Sequence, residues 1–230
     1  MEQVPAYVTA VFMITAFATA GIFLYTVRSI KTLPAFGRLL FFLVPFWMAV
    51  QFFLARTGFY LKTEVVPPRI FLFAMLPPLL LILLLFLFGR ESLVAKLPLA
   101  GLALIHIVRI PVEFTLHWLY EAGAVPSIMT FHGTNLDILS GLTAPLALYF
   151  AVKGMRTALL AWNVTALGFV LNVVITAILC VPTPLQRLAF DQPNVAVLHS
   201  PFIWLPAIIV PTVFFAHFAS LYILLRKEAA

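Results

Sequence analysis

The residues best suited to chemistry in this chain lie within one apolar stretch, LIHIVRIPVEFTLHWLYE, which covers residues 104–121. The stretch carries His106, Arg109, Glu113 and His117, at spacings of three, four and four residues. On an α-helix these spacings put all four side chains on one face, which we call the polar stripe. A charged side chain near the centre of a bilayer costs at least about 2.5–3.5 kcal/mol, so such groups are usually turned inward and paired. We therefore expect the polar stripe to face the interior of a helix bundle.

A first hypothesis for the stripe is a site that binds a small polar or anionic ligand, or that handles protons. Histidine titrates near neutral pH, and a buried acid beside it can exchange protons. Arg56 would recognise anionic groups or offset the charge of Glu113. Counting residues from the predicted span ends places most of these ionisable groups in the outer half of the membrane, within one leaflet. This placement predicts a polar cavity that opens outward. The predicted ligand-binding residues are Arg56, His106, Arg109, Glu113, His117, His132, Asp137 and His199.

A second hypothesis is a metal centre. Glu113 and His117, four residues apart, can present an oxygen and a nitrogen to one ion, and neutral imidazole is a good ligand for Zn. His132 and His199 would complete the ligand set from loops. A water molecule bound to such a metal would then act in hydrolysis within the membrane. The sequence contains no HExxH motif, so the ligand set rests on these four residues alone.

Cofactors other than a transition metal are less well supported. Retinal is disfavoured because a Schiff base needs a lysine within a span, whereas the lysines lie at the predicted span ends: Lys31, Lys62, Lys96, Lys153 and Lys227. Haem is a further hypothesis, because His106 and His217 are predicted at the same depth near the midplane and would serve as its axial ligands. The identity of any cofactor is left open by the sequence.

The alternative to any site is a purely structural role. Arg109 would then pair with Glu113 one turn further along the helix. The histidines would form hydrogen bonds across helices and hold them together. The stripe by itself therefore leaves three classes open: a ligand-binding protein, an enzyme, and a structural or partner-binding membrane protein.

The composition places these residues in a membrane. Of the 230 residues, 63% are hydrophobic and 10% are charged, and the mean hydropathy is +1.11. A soluble domain carries about 25% charged residues, so the lipid bilayer is the expected partner. The net charge of +6 comes from lysines and arginines clustered between apolar runs, which argues against a nucleic-acid partner. Cys180 is the single cysteine, which excludes an internal disulfide and a multi-cysteine metal site.

The apolar runs predict an all-α, polytopic membrane helix bundle that forms one domain over residues 1–230. Runs of about 20 residues suffice to cross the hydrocarbon core. The Pro77–Pro78 pair should bend or break its helix. The acidic N-terminus lacks the basic region of a signal peptide, so the first run is expected to be retained. The seven predicted transmembrane helices cover residues 6–27, 39–60, 70–89, 97–120, 137–152, 158–181 and 201–225.

The charges between the spans predict the orientation. With the N-terminus outside and the C-terminus inside, nine lysines and arginines lie at inner ends and four at outer ends, alternating at every loop. This bias follows the positive-inside rule, so we expect a multi-pass protein of the plasma (inner) membrane. Small residues of the first span predict close helix packing or the face of a homo-oligomer: Ala16, Ala18, Ala20 and Gly21.

Overall fold

The computed structural model describes residues 3–226, and within this range the chain is helical and contains no strand. Six segments are long and apolar enough to cross a membrane, and a shorter apolar helix lies between the fourth and fifth of them. The predicted all-α bundle of seven apolar helices is thereby confirmed. Its orientation stays a prediction, and Glu2, Lys227 and Glu228 lie outside the described residues. The α-helices are α1 (Ala6–Arg28), α2 (Ala35–Arg56), α3 (Leu76–Phe88), α4 (Leu99–Ile105), α5 (Arg109–Glu121), α6 (Asp137–Val152), α7 (Arg156–Cys180) and α8 (Val210–Leu225).

The fourth membrane segment, Leu99–Glu121, is continuous but irregular. A 3-10 turn at His106–Val108 separates α4 from α5. Pro111 follows this turn and has no N–H to donate to the Ile107 carbonyl one turn earlier, which accounts for the break in the α-helical pattern. The polar stripe begins on the turn and continues along α5. All its residues except His117 are buried.

Two π-helical turns lie where the third and the last membrane segments begin. They cover Phe71–Met75 before α3 and Leu205–Ile209 before α8, and they pack against each other. The first turn of each following helix contains proline, which lacks the N–H that would continue a regular ladder. The Pro77–Pro78 pair, predicted to bend or break its helix, instead follows a π-helical turn in a segment that stays continuous from Phe71 to Phe88. Such turns occur frequently at functional sites.

The Phe73 carbonyl shows how the bundle compensates for the missing N–H groups. Its partner one turn later would be Pro77 or Pro78, and neither residue has an N–H. The side chain of Gln51 on α2 donates from Nε2 to the Phe73 carbonyl at 3.0 Å. The Tyr60 hydroxyl in turn donates to Gln51 Oε1 at 2.5 Å. Gln51 thereby joins α2 to the start of the third segment. Since Gln51 is fully buried, this polar contact lies in apolar surroundings.

Gln51→Leu is expected to lower the free energy of unfolding by about 1–2 kcal/mol, because the partly buried Phe73 carbonyl loses its donor and the buried Tyr60 hydroxyl loses its acceptor. Thermal unfolding of the purified protein in one fixed detergent measures the change. Tyr60→Phe is the matched control, since it leaves the Phe73 carbonyl bound and should be less destabilising. Equal losses in the two variants would show that the contact with the carbonyl contributes little.

The fourth segment forms the centre of the bundle. α4 packs against α1, α6 and α8, α5 packs against α1 and α6, and α7 contacts both α6 and α8. α2 and α3 lie at the periphery with many exposed leucine and phenylalanine side chains, and Phe71–Phe88 is the most apolar of the membrane segments. Because lipid tails are themselves apolar, the most hydrophobic helix can stay exposed to them while the polar stripe is enclosed.

The small residues of α1 divide between two faces. Ala16 and Ala20 are buried against the rest of the bundle, whereas Ala18 and Gly21 are exposed. Small side chains allow helices to approach closely. The predicted close packing is therefore found within the chain, and the homo-oligomer face stays a prediction.

Candidate functional site

The arginine of the polar stripe finds its acid on another helix. The Arg109 guanidinium forms a bidentate ion pair with Asp137, the first residue of α6, with Nε 2.7 Å from Oδ2 and Nη2 bonded to Oδ1. Both side chains are almost fully buried, with exposed fractions of 2% and 7%. The predicted pairing of Arg109 with Glu113 is therefore wrong. The planar guanidinium matches both oxygens of a carboxylate that faces it across the α5–α6 contact.

The remaining contacts of Arg109 extend the network toward α7 and α8. Nη2 donates to the Ala166 carbonyl at 3.1 Å, and Nη1 lies 3.3 Å from His217 Nε2. Arginine is always a donor, so His217 Nε2 must accept and Nδ1 must carry the ring proton. Nδ1 then donates to Asn163 Oδ1 at 2.9 Å. His217 is thereby held as a neutral ring between two partners.

His106 lies against this network, as its predicted depth required. The centroid of its ring is 4.2 Å from that of His217 and 5.1 Å from that of Trp162. Neither ring nitrogen of His106 has a hydrogen-bond partner within residues 3–226. The two histidines, which were predicted at the same depth, are therefore in direct contact. Their direct contact leaves no space between the rings for a haem, so the haem hypothesis gains no support from this arrangement.

Asn135, which is not among the site residues predicted from the sequence, holds the carboxylate of Glu113. Its Nδ2 donates to Glu113 Oε2 at 2.7 Å and to the Met129 carbonyl at 2.9 Å. Its side-chain oxygen accepts from the Asp137 backbone N–H at 2.9 Å. An asparagine just before an apolar helix is a capping signal, and this signal could have identified the residue. Asn135 thus connects Glu113 to the Arg109–Asp137 pair.

Glu113 also lines a cavity of about 70 Å³, which lies between the N-terminal part of α5, the end of α7, and the starts of the third and last membrane segments. Arg109, Asp137 and Asn194 contribute to the same wall. Glu113 Oε1 and both side-chain amide atoms of Asn194 are buried and have no hydrogen-bond partner among the described residues. The rest of the wall is mainly apolar and includes Met75, Val112, Leu116, Val173, Ala177 and Ile209.

Asn194 was not predicted from the sequence. It lies in the connection between α7 and α8 and is fully buried. Its backbone N–H donates to the Cys180 carbonyl at 2.9 Å, which places it against the end of α7. The sequence around it resembles any polar loop, so only its burial identifies it as part of the cavity.

Several predicted site residues lie elsewhere than in the cavity wall. Arg56 is exposed at the end of α2, and His132 is exposed in the connection before α6. The rings of His132 and His117 are 4.8 Å apart between centroids, and His117 Nε2 is 3.5 Å from Glu121 Oε1. His199 is half-buried in the connection before α8, and this burial lowers its pKa.

The residues predicted to bind a metal are therefore divided among different places. His117 and His132 contact each other, Glu113 lies in the cavity wall, and His199 belongs to another connection. Across the described part of the chain, no group of three or more His, Cys, Asp or Glu side chains is arranged to hold a metal ion. The metal hypothesis stays a prediction.

A second cavity, of about 280 Å³, lies between α1, α2, α3 and α8. Its wall is built largely from aliphatic and aromatic side chains, such as Phe23, Leu40, Leu85 and Phe215. Specific recognition of a small molecule needs a few well-placed polar groups in an apolar pocket. The smaller cavity beside Glu113 meets this requirement better and is the candidate site.

Comparisons with models of protein families, with curated proteins and with solved structures found no match for this chain. Its class therefore follows from its own structure. The long apolar helices and the enclosed Arg109–Asp137 network describe a multi-pass helical membrane protein with buried polar residues.

Proposed function

We propose that this membrane protein binds a small amphipathic molecule in the cavity beside Glu113. The apolar wall would receive the hydrophobic part of the molecule, while Glu113 and Asn194 would bind its polar head. Sites for small molecules are typically apolar pockets in which a few polar groups fix the orientation of the ligand. The division of this cavity into an apolar wall and a cluster of polar residues supports the proposal.

The observation that carries the proposal is the pair of unsatisfied polar groups in the cavity wall. Glu113 Oε1 and the Asn194 amide are buried without a partner in the part of the chain described. A buried polar group left unbound costs about 1–3 kcal/mol, and more when it is charged. Native proteins therefore keep few such groups, and each calls for an explanation. The head group of a bound molecule would supply the missing hydrogen bonds.

The contacts of Arg109 favour a neutral or cationic head over the anionic ligand considered from the sequence. The guanidinium already forms its ion pair with Asp137 and donates to the Ala166 carbonyl. An incoming anion would have to compete with Asp137 and would also approach the carboxylate of Glu113. Like charges close together in a buried site are unfavourable.

The rim of the cavity supports entry of the molecule from within the bilayer. Phe71 and Met75 of the first π-helical turn are partly exposed, as are Val174 and Ile178 of α7. All four side chains are apolar, so a hydrophobic molecule could pass between them without entering water. An amphipathic molecule dissolved in lipid is therefore the preferred class of ligand.

Ala177→Phe is expected to abolish this binding, because the phenyl ring would occupy the cavity that Ala177 lines. The protein would be placed in phosphatidylcholine nanodiscs, and its unfolding midpoint followed as 1-hexanol, hexylamine or hexanoate is added. A ligand at about 100 times its Kd stabilises a protein by about 2.7 kcal/mol. We expect at least one of the three to stabilise the unaltered protein and none to stabilise the variant.

Ala161→Phe is the matched control for this experiment, since it makes the same substitution at an exposed position of α7. It should respond to the three molecules as the unaltered protein does. If Ala177→Phe is stabilised as much as the unaltered protein, the molecules act through the bilayer or at another place, and the proposal is wrong.

A further inference from the structure

We infer that the molecule bound beside Glu113 carries a cationic amine, and that Glu113 and Asn194 receive its ammonium group. This inference rests on the proposed function and adds the chemical class of the ligand. Two independent observations carry it: the balance of charge in the buried network, and the kind of hydrogen-bonding atoms left free in the cavity.

Among the buried charged side chains of residues 3–226, one acid has no cationic partner. Within residues 3–226 the buried arginine and carboxylate side chains are Arg109, Glu113 and Asp137. The bidentate contact pairs Arg109 with Asp137, and the hydrogen-bonding pattern holds His217 as a neutral ring. Glu113 is bound by the neutral amide of Asn135. Because charges interact strongly away from water, a cation from outside the chain would complement Glu113.

The free atoms in the wall indicate the same class of ligand. An ammonium group has three N–H donors and no acceptor. Glu113 Oε1 and both amide atoms of the Asn194 side chain lack a hydrogen-bond partner among the described residues, and both residues line one cavity. Glu113 Oε1 and Asn194 Oδ1 are acceptors, and Asn194 Nδ2 is a donor. A hydroxyl offers one donor and a carboxylate offers none, so neither could donate to both acceptors at once, as an ammonium group can. Hydrogen bonds from a charged donor to a carboxylate are also about twice as strong as neutral ones.

The remainder of the cavity fits the tail of such an amine. Its wall is made of aliphatic side chains from α5, α7 and the second π-helical turn, and Val112, Leu116, Val173 and Ile209 are among them. A wall of this kind contributes through burial of apolar surface and does not discriminate between head groups. Molecules with the same tail should therefore be ranked by their head groups alone.

Hexylamine, 1-hexanol and hexanoate test the inference, because they share one tail and differ in the head group. At neutral pH hexylamine is a cation and hexanoate an anion. Dissociation constants would be obtained from the stabilisation of the protein in phosphatidylcholine nanodiscs, with the response of Ala177→Phe subtracted as the contribution of the bilayer. We expect hexylamine to bind the unaltered protein about tenfold or more tightly than either of the others.

Glu113→Gln should weaken the binding of hexylamine by about tenfold or more and leave that of 1-hexanol nearly unchanged. Glu64→Gln is its matched control, because Glu64 is an exposed acid in the connection after α2 and should have no effect. The ranking of the three molecules on the unaltered chain does not depend on whether the Glu113→Gln variant folds.

The possible results separate this inference from the proposed function. If 1-hexanol or hexanoate binds as tightly as hexylamine, with binding lost in Ala177→Phe, then the amine class is wrong and the cavity is still a binding site. Undiminished binding of hexylamine to Glu113→Gln would overturn the assignment of Glu113. If none of the three binds in a way that Ala177→Phe abolishes, both the inference and the proposed function fail.

Discussion

Asp137→Asn is expected to lower the free energy of unfolding by about 3–5 kcal/mol, because it leaves the Arg109 charge buried without its acid. Arg109 is almost fully enclosed and makes its bidentate contact with this carboxylate. An amide keeps the shape of the side chain but removes the charge. The yield of monodisperse protein in size-exclusion chromatography, followed by thermal unfolding in detergent, measures the loss.

Two controls make the test specific to the ion pair. Asp191→Asn applies the same change to an exposed acid and should leave stability unaltered. Glu113→Gln should be less destabilising than Asp137→Asn, because Arg109 keeps its partner in that variant. The pairing predicted from the sequence requires the opposite order, so a larger loss in Glu113→Gln would contradict the network described above.

A double variant separates the charge from the packing. Arg109→Met combined with Asp137→Asn removes the buried cation that the single substitution leaves without a partner. Replacing both members of a buried ion pair is often far less harmful than removing one. The double variant should therefore recover folded protein relative to Asp137→Asn alone. If it recovers none, shape rather than charge dominates at this contact.

Gly141→Ala is expected to produce the second large effect, a loss of about 3 kcal/mol, at the upper end of what overpacking usually costs. A Cβ added at Gly141 would lie 2.9 Å from the backbone nitrogen of Ile110 and 2.8 Å from its Cγ1. Backbone atoms cannot turn aside as a flexible side chain can, so α6 would have to move away from α5. That movement would also separate Arg109 from Asp137.

Gly168→Ala is the matched control for this prediction. Gly168 lies in α7, and no described atom comes within 4 Å of a Cβ added there. Both substitutions replace glycine by alanine within a helix, so the gain in helix propensity is similar in the two variants. Thermal unfolding of both variants in one detergent isolates the steric effect. Equal stabilities would mean that the α5–α6 contact tolerates an added methyl group.

The membrane class and the arrangement of the spans could be predicted from the sequence because they depend on local properties. Crossing a membrane needs long apolar runs, and such runs can be read directly from the chain. The fifth predicted span, residues 137–152, coincides with α6, and the first differs from α1 by one residue. The second span ends earlier than predicted, at Arg56, because Gly58 turns the chain with a φ of 71°.

The inward direction of the polar stripe was also predictable, since one face of one helix is a local property too. His106, Arg109 and Glu113 are buried as their spacing required, and His106 meets His217 at the depth that counting residues predicts. The spacing of the stripe did not predict the exposure of His117. It lies on the predicted face but close to the end of α5, where the side chain is partly exposed.

The partners of these residues were decided by the tertiary structure alone. Arg109 binds Asp137 because α6 approaches α5 closely at Gly141, which sets the depth of one helix against the other. Asn194 reaches the cavity because the connection after α7 folds back against the end of the bundle. Hydropathy and spacing define which face of a helix turns inward. Which side chains then meet depends on rotations and shifts between whole helices, and no local pattern encodes these.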